Sequence, residues 1–158
     1  MSMLKITAHA IVRYAERIKK VRVIKHDLHN ISNKKIEQYR KEINKIYQFS
    51  KVIYVGEFKN HSKACYRIAD DIMLVTNIKD NTIITLYRVD FGLLDRKENK
   101  KVKEDILYKL EDEKKNMRRI LKKKDSKVLQ EYEKRKNNYN NLAEQICYSV
   151  ISRKNKIA

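Results

Sequence analysis

An α+β fold is predicted by three features of the chain. Apolar residues recur at helical spacing over 8–20, 32–49 and 95–153. Short β-branched and aromatic runs fill the stretch between, from 51 to 89. The separators between those runs are too short for a parallel crossover, so neighbouring strands must be antiparallel. The expected architecture is N-terminal helices packed on a four-stranded antiparallel sheet, followed by a long C-terminal α-helical hairpin. Two domains are expected, a 1–92 α+β domain and a 93–158 basic extension.

Thr7 is a suitable N-cap for a helix over about 8–20. In it Ile11, Ala15 and Ile18, flanked by Val12 and Tyr14, form an apolar stripe, while His9, Arg13 and Arg17 form a polar one. The segment VRVIKHDLH (21–29) has no clear period. Ser32 is placed to cap a second helix, in which Ile36, Tyr39, Ile43, Ile46 and Tyr47 follow spacings of three and four. The strands are KVIYVGEF (51–58), KACYRIA (63–69), DIMLVTNI (71–78) and NTIITLYRV (81–89), separated by KNHS, ADD and KDN. Asp70-Asp71 reads as a tight turn, and Phe91-Gly92 closes the unit. Beyond Gly92 there is neither Gly nor Pro, and one helical pattern runs to about 153 with its best break at Asp125-Ser126. The pattern therefore predicts an antiparallel hairpin. A single long helix acting as the arm of a coiled-coil homodimer through 95–153 is the alternative.

The composition bounds the partners. The 158 residues include 38 Lys+Arg against 20 Asp+Glu, a net charge of +18, and the excess is shared between both parts of the chain. A polyanion is the natural partner, with nucleic acid first among them. Cys65 and Cys147 stand far apart, which suits a reducing compartment and opposes a structural zinc site. His26, His29 and His61 include an H-x-x-H, yet nothing positions a further ligand, so no metal and no cofactor is expected. The start MSMLKITAHA has no signal-peptide apolar run, and no run is long enough to span a bilayer. A soluble, cytoplasmic protein with no membrane partner is expected. Gly56 and Gly92 lack the neighbours of a phosphate-binding glycine loop.

The motif TAHAIVRYAERI, followed later by ACYRIADDIMLVTNIKDNTIITLYR, resembles the small RelE-like proteins of the barnase/RelE superfamily of metal-independent ribonucleases. One branch of that superfamily begins with a helix carrying HA-x-x-R-x-x-x-R, matched by His9, Arg13 and Arg17. It ends in a Thr-Val-Tyr-like strand tip, matched by Thr85, Leu86, Tyr87 and Arg88. The resemblance covers residues 5–90. The helix over 32–49 is longer than in that branch, and the tail from 95 has no counterpart there. The resemblance implies RNA as the target, cleavage without a metal, and a catalytic set of His9, Arg13, Arg17, Thr85, Tyr87 and Arg88.

The residue types agree with that chemistry. Metal-free RNA cleavage needs a base for the 2′-hydroxyl proton, an acid for the leaving oxygen, and cations for the charge that develops on phosphorus. Histidine titrates near working pH, and arginine forks onto phosphate oxygens. Tyr87 and Arg88, as adjacent strand residues, point to opposite sheet faces, so at most one of them meets a given site. The densest basic block is MRRILKKKDSK (117–127). Its Arg118, Arg119, Lys122, Lys123 and Lys124, together with Lys20, are the candidates for gripping a phosphate backbone. The sequence thus predicts a nucleic-acid-binding protein, RNA favoured over DNA, with ribonuclease activity of toxin or mobile-element type. Two other readings fit the same residues: a non-catalytic, phage-encoded inhibitor that holds a nucleoprotein complex, and a coiled-coil assembly protein.

Overall fold

The computed structural model describes residues 4–58, 61–91, 95–122 and 128–147. The chain is α+β and divides into two compact units, Met1–Arg88 and Val89–Ala158.

The first unit opens with β1 (Lys5–Ile6) and α1 (Ala8–Arg13). Thr7 caps α1, its hydroxyl oxygen accepting from the Ala10 amide at 3.1 Å. The predicted helix over 8–20 does not run on as an α-helix. It widens into a π turn over Tyr14–Ile18, where the Lys19 amide reaches five residues back to the Tyr14 carbonyl at 3.1 Å. The Val21 amide then bonds to the Ala15 carbonyl at 2.9 Å, with Lys20 in the left-handed region at φ 58°. That position usually holds glycine, so the sequence carries no stop signal there. The ambiguous 21–29 segment forms two single 3₁₀ turns, Ile24–His26 and Leu28–Asn30.

Ser32 caps α2 (Asn33–Phe49), its side chain accepting from the Lys35 amide at 3.3 Å. Strands β2 (Lys51–Phe58), β3 (His61–Ala69), β4 (Ile72–Thr76) and β5 (Thr82–Arg88) follow. The sheet has five strands rather than the four expected, in the order β1-β5-β4-β3-β2, and it is mixed rather than wholly antiparallel. The four long strands form the predicted antiparallel meander, but β1 adds to β5 in parallel, with Lys5 opposite Thr82 and Ile6 opposite Ile83. Two residues cannot display an alternating pattern, which is why β1 left no trace in the sequence. The turn at Asp70-Asp71 is as expected, with Asp70 at φ 52°. Gly56 leaves room for an aromatic ring, since a Cβ there would lie 2.7 Å from the Tyr54 hydroxyl.

The core lies between the helices and one face of the sheet. Ile11, Ala15, Tyr39 and Ile43 pack with Leu74, Ile83 and Leu86, and Ile36, Ile46 and Tyr47 close its margin. Burying each of these large aliphatic side chains stabilises the fold by about 1.5–3 kcal/mol. Arg67 ties the α2–β2 junction to the turn before β5. Its guanidinium donates to Ser50 Oγ at 2.7 Å, to the Ser50 carbonyl at 3.1 Å and to Asp80, while lying 4.4 Å above the Tyr47 ring.

The second unit holds α3 (Arg96–Leu121) and α4 (Val128–Cys147), packed on each other as a helical hairpin rather than continuing as one helix. Asp95 caps α3, accepting from the Lys97 amide at 2.9 Å. Ile106, Leu110 and Ile120 of α3 and Ala143, Ile146 and Cys147 of α4 are buried. Arg135 pairs with Glu113 at 3.2 Å, and Lys114 lies over the Tyr139 ring. The expected break at Asp125-Ser126 and the closing Gly92 lie outside the described residues. No helix among the described residues is long and apolar enough to cross a membrane.

Candidate nucleic-acid interface

The polar stripe of the first helix lies beside the outer part of β5. Parallel pairing with β1 ends at Ile83, so beyond it the edge carbonyls of β5 need other partners. Register slips between Val75 and Thr76, where Thr85 and Ile83 are the partners, leaving Ile84 as an extra residue. The Thr7 hydroxyl donates to the Ile84 carbonyl at 3.1 Å, and Arg17 Nη1 donates to the Leu86 carbonyl at 2.9 Å. Arg17 therefore closes a sheet edge as well as carrying charge.

Arg13 lies near enough to act on the ionisation of both His9 and Arg17. The exposed His9 imidazole titrates below its ordinary value of 6.5, through partial burial and then through the charges of Arg13 and Arg17, with Glu16 opposing them. The lowering favours the neutral imidazole, the form able to accept a proton. Arg17 is also lowered, by burial first and then by Arg13, with Glu16 and Tyr87 opposing; it stays a cation. Glu16 is the organising anion, and its i,i+3 spacing from Arg13 made that pairing readable in the sequence. It accepts from Arg13 Nη1 at 3.2 Å and also meets the His26 imidazole. His26 is thus engaged with a carboxylate, and no group of three His, Cys, Asp or Glu among the described residues is arranged to hold a metal ion.

The strand-tip residues divide. Arg88 lies opposite Ile72 on the helix-covered face and pairs with Asp71 at 2.5 Å. Tyr87 and Thr85 lie opposite Met73 and Val75, on the other face. Tyr87 still acts electrostatically on Arg17. Thr85, half-buried away from α1, is not brought to the stripe. The structure thus keeps His9, Arg13 and Arg17 in one stripe, commits Arg88 to Asp71 on the helix-covered face, and places Thr85 and Tyr87 on the opposite face of the sheet. Comparison with protein-family models, with curated proteins and with solved structures finds no match.

Of the remaining basic candidates, Lys20 is exposed beside the stripe's C-terminal end. Arg118 and Arg119 are exposed in the last turn of α3, and Lys122 is exposed at its C-cap. Cations there also complement the negative end of the helix dipole. Lys123 and Lys124 lie outside the described residues.

A second feature of the first unit was not foreseen from the sequence. A groove of about 480 Å³ is lined by Tyr14 and Lys19, by Glu42, Lys45 and Phe49 of α2, and by the Asp70-Asp71 turn. Glu42 accepts from the Tyr14 hydroxyl at 2.6 Å and from Lys19 at 3.1 Å. Burial alone would raise the Glu42 carboxyl, but hydrogen bonds from Tyr14, Lys19 and Gln38 bring it below its ordinary value. Burial and the Glu42 partner push the Tyr14 phenol well up. Tyr14 and Glu42 are 28 residues apart, so this pairing leaves no local sequence pattern.

Proposed function

We propose that this chain binds nucleic acid, RNA in preference to DNA, with phosphate held at the His9–Arg13–Arg17 stripe beside β5. The observation that carries the proposal is the placing of His9, Arg13 and Arg17 along the first helix beside the β5 edge, where Arg17 donates to the Leu86 carbonyl, in a chain of net charge +18. Arginine forks give phosphate binding, and the neutral His9 supplies a base for a 2′-hydroxyl. The cleavage reading assigns that base to His9 and charge stabilisation to Arg13 and Arg17. The resemblance to RelE-like ribonucleases of toxin or mobile-element type supports the same assignment, with Arg88 engaged by Asp71 and Thr85 and Tyr87 on the opposite sheet face.

A specific observation favours a second, non-catalytic reading. Arg13 is already paired with Glu16 and Arg17 donates to a backbone carbonyl, so less free charge faces a reacting phosphate than metal-free cleavage calls for. An inhibitor that occupies a nucleoprotein complex by holding its RNA would use the same surface.

The test is incubation of the full chain with labelled RNA in EDTA, comparing wild type with His9→Ala and Arg13→Gln. Cleavage that survives EDTA and disappears with His9→Ala establishes the ribonuclease. Salt-sensitive binding without cleavage, unchanged by His9→Ala, establishes the holding protein. Absence of salt-sensitive binding to either RNA or DNA overturns the proposal.

A further inference from the structure

The groove beside α2 is separate from the phosphate stripe, and its lining is unusual for plain surface. Phe49 ends α2 with 78% of its surface exposed, the most exposed of the large hydrophobic side chains among the described residues. The core-facing stripe of α2 passes through Ile43, Ile46 and Tyr47, so helix geometry turns Phe49 outward. Beside it, Lys45 makes no ion pair or hydrogen bond among the described residues. Across the groove, Asp71 Oδ2 accepts from Arg88 Nη1 at 2.5 Å, while its Oδ1 accepts nothing among the described residues. The groove therefore offers an aromatic ring, an uncommitted cation and an open carboxylate oxygen. Its volume of about 480 Å³ falls within the range of small-ligand pockets.

Those three groups match three features of one unpaired nucleotide: the face of its base, the amino edge of that base, and its phosphate. A flat base stacks on an exposed aromatic ring, a lysine meets the phosphate, and a carboxylate accepts from an exocyclic amino group. Resting on the nucleic-acid-binding reading above, we infer that this groove is a nucleobase pocket. It takes one unstacked base of a single strand against Phe49 and prefers a base with an amino group, such as cytosine, over uracil. Lys45 holds the adjoining phosphate, and Asp71 Oδ1 accepts from the amino group. Cytosine and uracil differ at the atom Asp71 would read: an amino donor in one, a carbonyl acceptor in the other. A carbonyl facing the carboxylate would be repelled.

The experiment measures binding of the full chain to labelled oligo(C) and oligo(U) at low and high salt, for wild type, Phe49→Ala, Lys45→Gln and Arg13→Gln. Phe49 and Lys45 are exposed, so their substitution leaves the core intact. The expected result is tighter binding of oligo(C), a loss of about fivefold or more with Phe49→Ala, and a shrinking of the preference in that variant. Arg13→Gln should weaken both oligonucleotides equally. Steep salt dependence with equal affinity for the two, unmoved by Phe49→Ala, overturns the pocket while the phosphate stripe stands. The opposite failure is read with cytidine monophosphate. If it perturbs the groove's NMR signals in wild type but not in Phe49→Ala, while neither oligonucleotide binds in a salt-dependent way, the stripe falls and the pocket remains. Binding of neither oligonucleotide nor mononucleotide overturns both.

Discussion

Replacing Tyr14 by Phe removes one oxygen and tests whether the Tyr14–Glu42 bond is a structural tie between the first helix and α2. Tyr14 is 3% exposed, and its hydroxyl donates to Glu42 Oε2 at 2.6 Å. Hydrogen bonds to charged groups contribute about 1.5–3 kcal/mol. The Glu42 side chain is 30% exposed, so water replaces part of the loss and the lower end, about 1.5 kcal/mol, is expected at pH 7. The pH dependence supplies the sharper test. Glu42 titrates below its ordinary value of 4.5 when folded, because Tyr14, Lys19 and Gln38 donate to it. A carboxyl lowered on folding stabilises the fold fully above its unfolded pKa, and that contribution is lost as pH falls through the folded value. Tyr14→Phe should therefore cost most at pH 7, and the difference from wild type should shrink as pH falls from the ordinary value through the folded one. Urea titrations of both proteins, followed by circular dichroism across that acid range, measure it. A cost that is the same at both ends of the range, or under about 0.5 kcal/mol at neutral pH, would refute the charge-assisted bond.

Arg67→Ala removes one partner of a largely buried pair and leaves Asp80 and the Ser50 carbonyl without it, so a loss of about 3 kcal/mol is expected. A shift in urea midpoint worth less than about 1 kcal/mol would show that the Ser50–Arg67–Asp80 tie is dispensable. The His9 imidazole should titrate by NMR below 6.5. Arg13→Gln should move that value up by removing a cation, and Glu16→Gln should move it down by removing the opposing anion. Movement in the reverse sense for either variant would contradict the coupling within the stripe.

Much of the fold was readable because its signals are local. Ser32 and Thr7 announce two helix starts, and the alternation and spacing of 51–89 announce the four long strands. What escaped depends on contacts distant in sequence or on backbone states with no residue preference to mark them. β1 is two residues long and exists because β5 offers an edge. The π turn at Tyr14–Ile18 and the left-handed Lys20 leave no glycine or proline behind. The candidate site was half readable for the same reason. His9, Arg13 and Arg17 share a helical stripe, whereas the assignment of Arg88 to Asp71 follows from a hairpin register that sequence spacing did not fix.

That difference in partners orders the three arginines as phosphate ligands. Arg13 and Arg88 face carboxylates, which cancel much of their charge, and a phosphate must displace or outbid those anions. Arg17 faces a backbone carbonyl, which satisfies one N–H but carries no net charge, so its cation stays available to an incoming anion. The salt dependence of RNA binding reads this directly, because each phosphate neutralised on a single strand adds about 0.7 to the logarithmic slope. Arg17→Gln, which keeps an amide donor while removing the charge, should reduce the slope by about that amount. Arg13→Gln should reduce it by less, and Arg88→Gln should hardly change it. An equal reduction in all three, or the largest one at Arg88, would mean that the ion pairs to Glu16 and Asp71 open when RNA binds and that the apo pairing does not set the order.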